Sequence, residues 1–225
     1  MPKEDKKTTA DSRNEKFFNR WRGYFQYIIT HVFYMIRFKL IYRLEVYGKE
    51  NVPETNDYII APNHMSTLDP PLMCAIMQRP LAFMAKKELF NNPFMCWWLN
   101  WLGAFAVDRE KLSVSTIRTV LTVKKTEWVF SIFPQGKRQE PGKISGVTKG
   151  FASLAKTTKC GILPVGIVGT DEARHRPLSG KIIVRIGKLI PYSDNVDEMV
   201  KAWTDSIQEL TGFEYVEEKE AVVAG

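Results

Sequence analysis

Polar segments and two kinds of apolar segment follow one another along this chain. The first sixteen residues are polar and highly charged and are expected to be disordered. From Phe17 the pattern turns aromatic and apolar, and Phe17 to Tyr42 reads as helix with a break near Gly23. Leu44 to Gly48 alternates as a first strand, Asn51 to Asn56 supplies turn residues, and Tyr58 to Ala61 is a second strand. Pro70 to Met77 then reads as helix and Leu81 to Met84 as strand. Lys86 to Phe90 and Pro93 to Leu102 form the most apolar patch of the body, and Gly103 to Arg109 is a strand ending in a charged pair. Lys111 to Thr126 is helical, and Trp128 to Phe133 is a continuous strand of the fully buried type. Gly146 to Thr158 is a further helix. Gly161 to Gly169 is a strand interrupted by Pro164, which lacks a ladder donor and so belongs at an edge or a bulge. Lys181 to Gly187 alternates again, Asp197 to Leu210 is an amphipathic helix, and Tyr215 to Gly225 is an acidic, mobile tail.

Strands alternating with helices predict an α/β fold, and 225 residues suffice for one domain with a full core. The expected architecture is a single domain over residues 44–214, a central mixed sheet flanked by helices, with an N-terminal amphipathic helical segment at 17–43. Residues 1–16 are the polar terminus and 215–225 the tail.

Charge sharpens the picture at the N-terminal end. The formal net charge is +7, and residues 1–50 carry eleven Lys/Arg against six Asp/Glu. Such a balance attracts something acidic: anionic lipid, a phosphate-bearing substrate, nucleic acid or an acidic carrier. The uncharged run from Gly23 to Ile36 is 14 residues, short of the roughly 20 that a spanning helix needs. Aromatics mixed with Arg20, Arg22, Arg37, Lys39 and Arg43 instead suit an interfacial helix, with rings at headgroup level and cations toward phosphates. An ordinary amphipathic helix packed on the domain is the competing account. His31 lies in this run as a packing or interfacial residue. Trp97, Trp98 and Trp101 cannot all face one core, so a membrane surface or a lipid-tail groove competes with core packing there. The first sixteen residues are too charged for a secretory signal. Three cysteines, odd in number and far apart (Cys74, Cys96, Cys160), argue against a disulfide framework or a zinc site.

The chemistry gathers after the second strand. His64 and Asp69 stand five positions apart, and a carboxylate that accepts from one ring nitrogen leaves the other free as a base. On a helix the two would point about 140° apart. A dyad therefore needs a turn between them, for which Ser66 and Thr67 are suited, before Pro70 and Pro71 open a helix. The plain alternative is a helix-capping aspartate beside a satisfied loop histidine. Pro134 to Glu140 sets a glycine and two cations at the end of a strand, fit to hold a phosphate or simply a solvated basic loop. No Gly-x-Ser-x-Gly elbow and no Walker-type or Gly-x-Gly-x-x-Gly loop occurs, which leaves serine acyl-enzyme, ATP and NAD chemistry unsupported.

Four ordered blocks carry a resemblance: Asn63 to Asp69, Gly103 to Arg109, Phe133 to Arg138, and Ile162 to Val165. In this order and spacing they resemble the glycerolipid acyltransferase family, most closely its bacterial-type 1-acylglycerol-3-phosphate (lysophosphatidic acid) branch. The likeness runs from about Leu44 to Gly187. It implies His64 as catalytic base with Asp69 as its orienting partner, and Arg109 as a ligand of the acceptor phosphate. Gln135, Gly136, Lys137 and Arg138 fall in the acceptor-binding block, and Pro164 in the block linked to the acyl donor. That third block in the family usually reads Pro-Glu-Gly-Thr-Arg, so Gln135 and Lys137 make this pocket more positive. The implied substrates are an acyl thioester, of coenzyme A or of acyl carrier protein, and lysophosphatidic acid. An anionic membrane surface is the implied partner, met peripherally or monotopically on the cytoplasmic face of the cell membrane. Neither a nucleic acid, a cofactor nor a metal is expected. The alternatives are another lysolipid acceptor, a catalytically weak lipid-binding protein at the membrane surface, and a thioesterase using the same dyad on water.

Overall fold

The segment Tyr58–Pro62 has no charged side chain and is buried throughout; it forms β2 of a sheet covered on both faces. The computed structural model describes residues 13–107, 114–171, 178 and 180–216. Among them the strands are β1 (Glu45–Tyr47), β2, β3 (Leu81–Lys86), β4 (Ala104–Val107), β5 (Val129–Ser131), β6 (Lys143–Ile144), β7 (Gly161–Val168), β8 (Ile183–Ile186) and β9 (Glu214–Tyr215). The helices are α1 (Arg20–Ile28), α2 (Ile36–Leu40), α3 (Asp69–Ile76), α4 (Pro93–Trp101), α5 (Val114–Val123), α6 (Gly150–Thr158) and α7 (Val196–Thr211). Seven strands make one mixed sheet in the order β1-β8-β7-β2-β5-β3-β4, and β6 pairs with β9 apart from it. From β7 to β4 neighbouring strands are parallel; β8 is antiparallel to β7, and β1 is parallel to β8.

Alternation along each strand sorts the core into two layers. Ile59, Ala61, Phe130, Ile162 and Phe105 pack with Val120, Phe151, Leu154, Trp203 and Ile207 of α5, α6 and α7. Tyr58, Ile60, Val129, Leu163 and Val165 pack with Leu72, Met73 and Ile76 of α3 and with Phe38 and Tyr42. The indole N–H of Trp203 donates to the Ala61 carbonyl at 2.8 Å, so α7 is hydrogen-bonded to the central strand as well as packed on it.

Pro164 is not at an edge. Strand β7 lies between β2 and β8, with Pro164 in register with Ala61. The missing donor is accommodated because β8 ends at Ile186. Of the two bonds a Pro164–Gly187 pair would exchange, the one donated by Gly187 is made, at 2.9 Å. The register then shifts: Val165 pairs with Ile186 but Ile162 bridges Ile190, three steps against four, so the extra residue sits in the partner strand.

The N-terminal segment continues without a break at Gly23, which is buried in α1 against Pro80 and Trp128. The irregularity comes later, where Ile29–Met35 widens into a π-helix before α2. There the Thr30 hydroxyl donates to the Gln26 carbonyl at 2.8 Å, and His31 Nδ1 lies 3.1 Å from the Tyr27 carbonyl. Side chains that bond back to the preceding turn perturb the helical ladder in this way. Phe17 and Phe18 precede the helix and are core residues. Arg13, grouped by composition with the polar terminus, is half-buried, and its N–H donates to Thr119 Oγ1 at 3.2 Å, while Asn14, Glu15 and Lys16 are exposed. Tyr215 belongs to β9, and the Val216 N–H donates to the Ile144 carbonyl at 2.9 Å, which anchors the start of the expected tail.

Gln26 explains which face of this segment turns inward. Its Oε1 accepts from the Leu81 N–H at 2.8 Å, and its Nε2 donates to the carbonyls of Leu81 (2.8 Å) and Leu102 (2.7 Å). Gln26 and Thr30 are buried, while Trp21, Tyr24, Ile28, Phe33, Ile36 and Leu40 are exposed. Replacing Gln26 by leucine keeps the volume but strands these buried backbone groups. Gln26→Leu is expected to lower stability by about 2–3 kcal/mol in urea unfolding; an unchanged midpoint would show that the amide does not hold the segment.

Candidate active site

The carboxyl ends of β2, β5 and β7 lie side by side, the edge at which parallel α/β sheets hold their ligands. β2 delivers Asn63 and His64. Asn63 is buried and fastens the strand end to β7: its Nδ2 donates to the Ile167 carbonyl at 2.9 Å, and its Oδ1 accepts from the Ile167 N–H at 2.7 Å. The chain between His64 and α3 is a turn rather than helix. The Ser66 carbonyl accepts from the Asp69 N–H at 3.2 Å, and the Leu68 N–H donates to Ser66 Oγ at 3.3 Å. This turn brings Asp69 back to the histidine. Asp69 Oδ2 lies 2.8 Å from His64 Nδ1.

Asp69 is 0% exposed. Its Oδ2 also accepts from the N–H groups of Met65 and Ser66, each at 2.7 Å, and its Oδ1 from Thr170 Oγ1 at 2.6 Å. Buried charge is tolerated when its lone pairs are satisfied, and here four donors meet one carboxylate. Asp69 does not cap α3, of which it is the first residue; its carboxylate turns back to the Met65 and Ser66 N–H groups and to His64. With Nδ1 engaged, Nε2 is the ring nitrogen left for chemistry; the His64 side chain is 14% exposed. Phe133 stacks on the imidazole with centroids 4.1 Å apart, and Phe83 continues the stack at 6.3 Å.

The loop after β5 holds the histidine by its backbone. Gln135 is buried, and its Oε1 accepts from the His64 N–H at 2.7 Å. The Gln139 N–H donates to the His64 carbonyl at 2.9 Å. Between these two contacts Gly136 takes φ +65°, which suits glycine, and Lys137 and Arg138 are exposed at the tip. Gln135 thus contacts His64, whereas Lys137 and Arg138 present cations outward. Pro164 is buried in β7, where its ring converges with Leu210 and Ser206 of α7 on the space over Gly187. Arg109 lies in 108–113, outside the described residues; β4 ends at Val107 on the same sheet edge. Among the described residues no group of three or more His, Cys, Asp or Glu is placed to hold a metal ion. Asn63 and Phe133 open two of the resembling blocks without an assigned role, and Gln139 and Thr170 lie outside the blocks; all four are site residues. A Gly-Thr step directly after a buried strand is the one signal that could have pointed to Thr170.

The acyltransferase family model matches residues 43–168, and the chain belongs to that family. Its relatives include enzymes named 1-acyl-sn-glycerol-3-phosphate acyltransferase. The one from Streptococcus pneumoniae is 31% identical over 77% of this chain and 66% of its own length. The one from Bacillus subtilis is 29% identical over 74% of this chain and 87% of its own. The crystal structure of the 1-acyl-sn-glycerophosphate (LPA) acyltransferase PlsC from Thermotoga maritima superposes with a TM-score of 0.62 at 26% identity. That match covers 74% of this chain and 69% of the other.

The bonding around Asp69 separates two kinds of damage. His64→Ala leaves the carboxylate with the Met65, Ser66 and Thr170 donors, whereas Asp69→Ala strands all of them. Thermal unfolding is expected to show His64→Ala within about 1 kcal/mol of the parent and Asp69→Ala destabilised by about 2–4 kcal/mol. Equal losses would mean that the carboxylate contributes no more to the fold than the ring.

Proposed function

We propose that this protein transfers a fatty acyl chain from an acyl thioester to the free hydroxyl of lysophosphatidic acid, giving phosphatidic acid in phospholipid biosynthesis. The observation that carries the reading is the 2.8 Å contact of His64 Nδ1 with a fully buried Asp69, inside the matched acyltransferase region. His64 Nε2 removes the proton from the lipid hydroxyl as its oxygen attacks the thioester carbonyl. Asp69 stabilises the imidazolium that forms. The tetrahedral intermediate collapses, the carbon–sulfur bond breaks, and the proton returns to the leaving thiolate. General-base help of this kind contributes about 10²–10⁴-fold. The thioester is that of coenzyme A or of acyl carrier protein, classes that share the same reacting carbonyl.

Lys137 and Arg138 at the exposed loop tip, with Arg109 beyond β4, are assigned to the acceptor phosphate. The names of the relatives support this acceptor, and so does the extra cation at Lys137. Gln135 is assigned to holding His64 through its backbone rather than to touching substrate.

A lipid acceptor needs the enzyme at the bilayer, and the exposed apolar side chains of the N-terminal segment support a peripheral mode, which is assigned here to the cytoplasmic face. Trp21 is 79% exposed, Leu40 73% and Phe33 64%, and Phe94 and Trp97 of α4 are exposed as well. Phe25 packs between the two elements, 6.1 Å from Trp98 and 5.1 Å from Trp101. Arg20, Arg37, Lys39 and Arg43 are exposed. Arg22, grouped by sequence with these cations, turns inward instead: it lies over the Phe17 ring at 4.1 Å, and burial lowers its pKa. No helix among the described residues is long and apolar enough to cross a membrane.

The test of the reaction is labelled acyl-CoA with and without lysophosphatidic acid. Acceptor-dependent lipid product is expected, lost about 10²-fold or more in folded His64→Ala; free fatty acid in both tubes would mean a thioesterase. Lys137→Ala and Arg138→Ala should each raise the acceptor KM about 10-fold or more and leave the donor KM nearly unmoved. An acceptor KM unmoved by both would point to an uncharged lysolipid. The membrane reading predicts binding to anionic vesicles that weakens with salt. Phe33→Glu should weaken it about 10-fold, since each buried large side chain contributes roughly 1.5–3 kcal/mol. Binding indifferent to both salt and Phe33→Glu would place the membrane contact elsewhere.

A further inference from the structure

Asp69 has a partner that arrives from the end of the neighbouring strand, β7. Strand β7 ends at Val168, and Gly169 follows with φ +86°. A Cβ at this position would lie 2.1 Å from the Lys181 carbonyl oxygen, so only glycine makes the turn. The turn places Thr170, itself 0% exposed, with its Oγ1 donating to Asp69 Oδ1 at 2.6 Å across 101 positions of sequence. The other three donors to the carboxylate, His64, Met65 and Ser66, all reach Oδ2.

The torsion that turns an aspartate carboxylate is soft and nearly two-fold, so packing alone distinguishes its oxygens poorly. Hydrogen bonds to separate oxygens do distinguish them. A hydroxyl on a β-branched side chain has restricted χ1 freedom, and the Gly169 turn sets the backbone that aims it. The O–H···O⁻ contact is of the short, charge-assisted kind. We propose that Thr170 is a positioning residue for the reaction. By occupying Oδ1 it fixes the carboxylate so that Oδ2 meets His64 Nδ1, and through that bond it sets the orientation of the imidazole. The inference rests on the general-base reading of His64. It adds to the pair a third side chain, supplied by the strand neighbouring β2.

Thr170→Val keeps the shape and removes the donor, whereas Thr170→Ser keeps the donor. In the purified full-length chain, Thr170→Val is expected to lower kcat about 10- to 100-fold with both KM values within about 2-fold, and Thr170→Ser to stay within about 3-fold of the parent. A second readout needs no substrate: the downfield proton resonance of His64 Nδ1–H, assigned by its loss in His64→Ala. It should move or broaden in Thr170→Val and persist in Thr170→Ser, and this arm reports on Thr170 even if the parent transfers no acyl group to any acceptor tried. Should the valine variant fail to fold, Thr170→Ala supplies the donor-less comparison. The proposal is overturned if the donor-less variant keeps both kcat and the resonance. It is equally overturned if serine and the donor-less variant lose kcat alike in proportion to thermal stability, which is the mark of packing alone.

Discussion

The interaction on which this site depends is the burial of the Asp69 charge. Taking a carboxylate out of water costs several kcal/mol unless its lone pairs are filled, and the filling here comes from two places in the chain. His64, Met65 and Ser66 arrive from the end of β2, and Thr170 from the end of β7. The two strands must be neighbours, parallel and in register for this to happen, as the pairing of Ala61 with Pro164 and Pro62 with Val165 provides. Asn63 then bonds both backbone groups of Ile167 and locks that register where it matters. Sheet order and carboxylate environment are thus one requirement, met at two scales.

The N-terminal segment follows the opposite arrangement from a surface helix of a globular domain. Its polar Gln26 and Thr30 are buried and bonded to backbone carbonyls, while Trp21, Tyr24, Ile28, Phe33, Ile36 and Leu40 are exposed; Phe38 and Tyr42 at its end join the core. A contiguous apolar surface of this sort marks an interaction face. The inward polar contacts keep it outward, since rotating the helix to hide Phe33 and Leu40 would break the bonds of Gln26 to Leu81 and Leu102.

Much of this is legible in the sequence because it is local. The apolar runs at Tyr58, Trp128 and Gly161 are the central strands, and the His64–Asp69 spacing with turn residues between is the pair observed. What is not legible depends on partners far along the chain. Pro164 reads as an edge or a bulge residue, and the choice between them depends on where the neighbouring strand stops; the extra residue lies in that partner strand. Strands β6 and β9 are two residues each, too short for any periodicity, and exist through their mutual pairing. Gln26 lies unmarked within the helical run, and its burial follows from Leu81 and Leu102. Thr170 carries no motif at all; its hydroxyl acquires meaning from a carboxylate 101 residues away.

The loop that links Gln135 to Gln139 grips His64 at its N–H and its carbonyl, with Lys137 and Arg138 at the tip between. The grip on the carbonyl is backbone to backbone, and that on the N–H needs only a side-chain oxygen at 135. Replacing the two tip residues alters what the loop offers to solvent and leaves the histidine's attachments unchanged. On the acceptor assignment proposed above, substitution at the tip would change acceptor preference while the contacts that hold His64 are kept, a separation of selectivity from chemistry within five consecutive residues.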